Sequence, residues 1–188
     1  VILLEELGRH LAPVPLFPTL VLGSMPIAAF GTPAQRERWL HPVANEGAVL
    51  TAALEEFAGF DPTQPRTTAR RDGAGWRLDG EKTCVPAAAQ ARAILVPART
   101  GEGAVGVFLV EPGAAGVALE RQTGAQREPL SQLTLSGVRV GAEALLGAPD
   151  GGVAIVEWIR ERALLGLAAI QIGVAESAMR KTADYVIQ

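Results

Sequence analysis

Thr51 to Thr83 reads TAALEEFAGFDPTQPRTTARRDGAGWRLDGEKT, a strand, an acidic loop containing glycine, and a hairpin in that order. Ala48 to Leu54 forms one expected strand. Thr67 to Arg71 then pairs with Trp76 to Leu78 across Asp72-Gly73-Ala74-Gly75, where glycine supplies the positive φ a tight turn needs. Downstream, Ala93 to Ala98, Val105 to Val110, Val117 to Glu120 and Ser131 to Val140 are short runs punctuated by Gly, Pro and Asp, the spacing of a small barrel or sandwich. Arg77, Asp79, Glu81 and Arg139 alternate with less polar neighbours, so one face of this sheet is expected to meet water.

Helical patterns flank the β region on both sides. Leu3, Leu4, Leu7 and Leu11 recur at helical spacing, and Pro13 and Pro15 interrupt them before a second apolar segment from about Leu16 to Ala29. Thr32 is placed to cap a third helix, with Pro33 at its first position and Gln35 at its third, and that helix is expected to end near Asn45 and Gly47. From Gly151 one long helix runs through Ile155, Ile159, Leu164, Leu167, Ile170, Val174 and Ala178. Gly166 and Gly173, seven residues apart, leave room on that stripe for a second helix, and each costs about 1 kcal/mol of helix propensity relative to alanine.

The 51–83 segment resembles the middle domain of the acyl-CoA dehydrogenases, whose pattern runs A-L-T-E-P-x-A-G-S-D, a T-x-A pair and D-G-x-G-W/Y-x-L-x-G-x-K. Ala53, Leu54, Glu56, Gly59, Asp61, Thr67, Ala69, Asp72, Gly73, Gly75, Trp76, Leu78, Gly80 and Lys82 match it. Gly31 to Pro42 is similar to the family's G-T-x-x-Q-x-x-x-W/Y-L-x-P helix. Val138-Arg139-Val140 followed by Glu143 to Gly147 is similar to its V-x-V-P-x-x-x-L-L-G crossing, with Gly141 in place of proline. The resemblance implies an α+β fold in which helical segments flank a central β-barrel or sandwich, truncated at both ends. Residues 1–47 would end an N-terminal helical domain, 48–148 form the middle β domain, and 149–188 begin a C-terminal helical domain.

That family oxidises acyl-CoA thioesters with FAD, so the resemblance implies a flavoprotein oxidoreductase of lipid metabolism that introduces an α,β double bond. It further implies electron-transfer flavoprotein as acceptor and an oligomer of the same family, homomeric or heteromeric. The carboxylate base is expected in the C-terminal domain, outside this chain. Leu54, Glu55, Glu56, Cys84, Val85 and Pro86 would line the isoalloxazine, and Gly59, Phe60 and Asp61 would border the acyl-CoA. Glu161-Arg162 matches an E-R pair whose Arg lies near the active site, so Arg162 is either a substrate neighbour or a solvated helix charge.

Several positions depart from the family pattern with physical consequences. Glu55 stands where a Thr or Ser hydrogen-bonds the ring. A carboxylate about 4 Å from a reduced, anionic flavin costs about 4 kcal/mol at an effective dielectric near 20, which is about 90 mV for a two-electron couple. Cys84 replaces a Trp, and Pro86 replaces a Thr or Ser, removing hydroxyl and N–H together. Phe60 replaces a small Ser. An accessory subunit with a degenerate flavin site is therefore the alternative to a self-sufficient dehydrogenase. A stand-alone module would leave apolar helix faces bare.

Composition limits other classes. The 188 residues, 48% apolar and 20% charged, suit one or two globular domains. A net charge of −3 gives no footprint for nucleic acid or an anionic membrane. The apolar run from Ala163 to Ala175 is too short to span a bilayer, and a cytoplasmic location is expected. Cys84 has no partner for a disulfide and is expected as a small core residue. His10 and His41 have no second ligand at metal spacing. Trp39, Trp76 and Trp158 are expected to pack.

Overall fold

A computed structural model describes residues 1–57, 59, 61–124 and 128–187. Its helices are α1 (Ile2–His10), α2 (Met25–Phe30), α3 (Pro33–Glu46) and α4 (Gly152–Ile187), with a π-helical segment, Pro18–Ser24, leading directly into α2. The strands are β1 (Val49–Ala52), β2 (Thr68–Asp72), β3 (Gly75–Pro86), β4 (Ala91–Gly101), β5 (Ala104–Val110), β6 (Val117–Thr123), β7 (Pro129–Val140) and β8 (Leu145–Leu146). Helices thus flank a central β region, as expected.

The strands form one sheet in the order β6-β7-β3-β2-β4-β5-β8, with β1 added in parallel to β4. Its hydrogen bonds do not close into a full barrel, since β6 and β8 end the path. The sheet nevertheless curls around its own core. Ile94, Val96, Phe108 and Val110 of β4 and β5 share a buried cluster with Trp76, Leu78, Leu133, Leu135 and Val138 of β3 and β7. Trp76 meets Phe108 edge-on at 5.3 Å, a geometry that aligns ring edge with ring face. Arg77, Glu81 and Arg139 point to solvent, which gives the wet face anticipated from their alternation.

The hairpin forms where Asp72 and Gly73 placed it, with Asp72 opposite Gly75 and Gly73 at φ 60°. The other face of the sheet carries the helices. Leu50, Ala52, Leu95, Val107 and Leu109 pack there with Val21, Ile27, Trp39, Ile155 and Ile159.

Thr32 caps α3 as its spacing foretells. Its hydroxyl accepts from the Gln35 N–H at 3.2 Å, and the Gln35 amide oxygen accepts from the Thr32 N–H at 2.9 Å. Gln35 also donates to the carbonyls of Glu143 and Leu145, at 2.8 and 2.9 Å. The capping box therefore also fastens the start of α3 to the β7–α4 connection. Thr32→Ala is expected to cost about 1 kcal/mol, read as a lowered urea midpoint at unchanged m-value.

The glycine spacing in α4 marks the seat of α1. A Cβ on Gly173 would lie 1.9 Å from the Glu5 carbonyl oxygen, and one on Gly8 would lie 2.0 Å from the Ile170 carbonyl oxygen. Gly166 faces Phe17 and Leu4. Across this contact Arg9 pairs with Glu5 at 2.9 Å on its own helix and with Glu176 on α4.

The π-helical turn and β8 go beyond the sequence reading. The Met25 N–H reaches back five residues to the Leu20 carbonyl, and the Ser24 hydroxyl donates to Thr19 O at 2.7 Å. These bonds widen one turn inside an apolar run read as uniformly helical.

Candidate functional site

The two sequence-distant segments expected to share a site do lie side by side. Where β1 ends, the Glu55 carbonyl accepts the Thr83 N–H at 2.9 Å, so the 54–56 segment runs beside the end of β3. Leu54 is half-buried against the helical core.

Glu56 faces inward and ties this junction together. One carboxylate oxygen accepts from Lys82 Nζ at 2.6 Å, Thr67 Oγ1 at 2.7 Å and the Thr67 N–H at 3.1 Å, and the other accepts from the Arg66 N–H at 2.7 Å. Gly59 donates its N–H to the Glu56 carbonyl at 3.2 Å. Lys82 is fully buried and the Glu56 side chain is 7% exposed. Burial alone would push the Glu56 carboxyl up, but the Lys82 ammonium, the Thr67 hydroxyl and the Arg66 amide outweigh it, leaving the group below its ordinary value. Burial likewise lowers the Lys82 pKa, with Glu56 and then Glu55 pulling it back. Both groups are matched and hydrogen-bonded, the condition under which buried charges are tolerated.

A β-bulge shapes the other segment. Lys82 pairs with Leu133 and Val85 with Ser131, so β3 spends an extra residue between them. Trp76, Leu78 and Lys82 point inward, and the phase then slips so that Val85 points inward instead. Cys84 is thereby turned to solvent at φ 52°. This corrects its expected place in the core, because simple alternation from Lys82 would have buried it.

Gln122, which the sequence reading did not single out, reaches this bulge from β6. Its Oε1 accepts the Cys84 N–H at 2.9 Å, and its Nε2 donates to Thr83 Oγ1 at 3.1 Å. No local motif signals a contact across 38 residues.

The isoalloxazine that the resemblance implies would look to this wall for hydrogen-bond donors. The N–H groups of Thr83, Cys84 and Ala87 are taken by Glu55, Gln122 and Pro129, and Pro86 has none. The Val85 side chain is buried in the sheet core. The exposed side-chain groups left on these two segments are the Glu55 carboxylate and the Cys84 thiol. The β3 side of this surface thus offers few free donors and the Glu55 carboxylate stands beside it, a poor fit to a ring whose carbonyl oxygens, N1 and N5 accept hydrogen bonds.

Among the expected substrate neighbours, Asp61 is exposed and holds its own turn, accepting from the Thr63 N–H at 2.9 Å and Thr63 Oγ1 at 2.6 Å. Those bonds lower its pKa, with a smaller contribution from Arg160 on α4. Phe60 lies outside the described residues. Arg162 stacks on Trp158, its guanidinium 3.6 Å from the ring centroid, and donates to the Trp158 carbonyl at 3.1 Å. Trp158 in turn meets Phe30 edge-on at 5.3 Å, so Arg162 is held on the α2–α4 side rather than paired with Asp61.

Among the described residues, no group of three or more His, Cys, Asp or Glu is placed to hold a metal ion. Among the same residues, no helix is long and apolar enough to cross a membrane.

Comparison with known proteins adds an independent line. Residues 51–138 match the middle domain of acyl-CoA dehydrogenase and residues 1–47 its N-terminal domain. Acyl-CoA dehydrogenase FadE27 of Mycobacterium tuberculosis is 35% identical over 98% of the chain and 47% of its own length. A solved Tcur3481-Tcur3483 steroid acyl-CoA dehydrogenase variant superposes with a TM-score of 0.85 at 42% identity, covering 97% of this chain and 48% of that one. The ChsE4-ChsE5 complex from Mycobacterium tuberculosis gives a TM-score of 0.87 at 32% identity, again over 97% and 48%. The chain spans about half the length of the relatives it matches.

Proposed function

Because this chain belongs to the acyl-CoA dehydrogenase family, we propose that it is the accessory subunit of a hetero-oligomeric acyl-CoA dehydrogenase whose flavin is held by a partner of the same family. One observation carries this reading. The wall formed by Glu55 and Cys84 to Pro86 has no N–H at Pro86, has its bulge N–H already bound by Gln122, and presents a carboxylate to solvent. Two of the similar structures are named for paired gene products, and that supports an assembly of unlike subunits.

On this reading residues 1–47 close an N-terminal helical domain, 48–148 are the middle β domain, and 149–188 open a C-terminal helical domain. The assembly is a cytoplasmic oxidoreductase of lipid metabolism that desaturates an acyl-CoA thioester and passes electrons to electron-transfer flavoprotein. FAD in the partner subunit supplies the hydride acceptor for the β-carbon. The carboxylate base lies outside these residues. This chain contributes its fold: the Glu56–Lys82 anchor fixes the junction to which Gly59 is hydrogen-bonded, and the α1–α4 contact fixes those two helices against each other. Because one similar structure is described as a steroid dehydrogenase, a steroid-derived acyl-CoA is the substrate class to try beside straight-chain thioesters.

Visible absorbance spectra of the protein purified alone and with a co-expressed family partner test the proposal. Alone it should be colourless, and with the partner it should contribute to a yellow complex bleached by acyl-CoA. A flavin spectrum from the protein alone, bleached by acyl-CoA, would instead establish a self-sufficient dehydrogenase. Cys84→Trp combined with Pro86→Thr should raise flavin occupancy of the isolated chain. Unchanged occupancy would place the deficit elsewhere, with Glu55 next to be replaced.

A further inference from the structure

The bulge in β3 releases two polar groups that an uninterrupted strand would have paired or hidden, the Cys84 N–H and the Thr83 hydroxyl. Both are engaged by a single side chain. Gln122 presents its carbonyl oxygen to the Cys84 N–H at 2.9 Å and its amide nitrogen to Thr83 Oγ1 at 3.1 Å. Gln122 stands opposite Leu130 on β7, so its side chain crosses the neighbouring strand to reach the bulge. An amide is suited to this task because it accepts and donates at once.

We propose that Gln122 is a specificity-determining residue that closes the cofactor-facing wall by engaging the Cys84 N–H as acceptor and the Thr83 hydroxyl oxygen as donor, so that a flavin ring has to displace it before it can bind. The inference rests on the reading of this wall as a degenerate flavin half-site and names a second cause of the degeneracy. Glu55 and Pro86 remove attraction, whereas Gln122 competes for what remains. Displacing a satisfied internal acceptor without reproducing both of its bonds loses affinity. The effect is therefore reversible by substitution at a residue outside the two segments that face the ring.

Titration of the purified protein with FAD, followed by quenching of flavin fluorescence, provides the test. Gln122→Met keeps the length of the side chain and removes both hydrogen-bonding functions, and it is expected to tighten FAD binding about tenfold. Gln122→Glu keeps an acceptor for the Cys84 N–H and should bind no better than the unaltered protein. Gln122→Asn, one methylene shorter, withdraws the amide from the bulge while preserving polarity. It serves as the second opening variant should methionine compromise folding, which far-UV circular dichroism and a thermal melt would reveal.

Tighter binding by the methionine or asparagine variant, with the glutamate variant unchanged, supports the proposal. Equal, weak binding by all four proteins overturns it and leaves the accessory-subunit reading intact. Tight, stoichiometric binding by the unaltered protein overturns that reading itself, and the plug with it.

Discussion

Replacing Lys82 with methionine is expected to lower the unfolding free energy by about 3–5 kcal/mol. Lys82 is fully buried and reaches Glu56 Oε1 at 2.6 Å, so its loss leaves a carboxylate in the protein interior without its counter-ion. The Thr67 hydroxyl and the amides of Arg66 and Thr67 would still donate to Glu56, but neutral donors do not replace a full charge. Burial forces the stranded carboxyl to take up a proton or draw in water, and either change loosens the junction between β1 and β2. Adding Glu56→Gln should recover much of the loss, because the amide oxygen still accepts hydrogen bonds without carrying a charge. Urea unfolding of the single and double variants measures the cycle. A single-variant loss under about 1 kcal/mol would show that the pair behaves like an exposed one.

The same pair sets an acid dependence whose sign follows from Glu56. Its folded-state pKa lies below the ordinary carboxylate value of 4.5. The stabilisation it provides is thus fully present above that value and is lost as pH falls through the lower folded-state pKa. Glu56→Gln should flatten the decline of unfolding free energy below about pH 4.5, measured by urea titration at several pH values.

The second large effect is expected at the helix contact. Gly173→Leu should cost about 3 kcal/mol, the upper end of the usual overpacking range, because even the first added carbon would meet the Glu5 carbonyl oxygen at 1.9 Å and the Arg9 nitrogen at 2.7 Å. Both neighbours are backbone atoms of α1 and cannot rotate away. The helix itself would gain about 1 kcal/mol of propensity from losing a glycine, so a net loss isolates the packing term. Ala175→Leu, at an exposed position of the same helix, should stay within about 0.5 kcal/mol. Thermal and urea unfolding of the two variants separates a general effect of leucine in α4 from displacement of α1.

Much of this architecture is written locally. Asp72-Gly73 gives the hairpin, Thr32 with Gln35 gives the start of α3, and the seven-residue spacing of Gly166 and Gly173 gives the seat of another helix, because each signal lies within a few residues of the structure it causes. The features that shape the candidate site depend on partners far away in the chain. Glu56 finds Lys82 across 26 residues, and Gln122 finds Cys84 across 38. Lys82 matches the family pattern, yet nothing near it announces a buried ammonium, since lysine is ordinarily an exposed residue. Cys84 departs from its expected place for a different reason: one bulge re-phases every later residue of a strand, and no alternation rule sees the bulge beforehand. Leu145–Leu146 are too short to read as β8, which exists because the middle of β5, Val107 and Phe108, offers them an edge.

The close approach of Gly173 to Glu5 also bears on how the chain is made. The contact joins backbones separated by 168 positions, Glu5 and Gly173, so α1 leaves the ribosome long before its seat exists. At about 5–20 residues per second, the wait is on the order of ten to thirty seconds. Throughout it, Leu4 and Leu7 lack α4 to cover them, while the β region that separates them from α4 is already able to pair its strands. Synthesis therefore favours a nascent chain with a formed sheet and an α1 still waiting for its seat, which is the interval in which a chaperone or a sister chain could capture it.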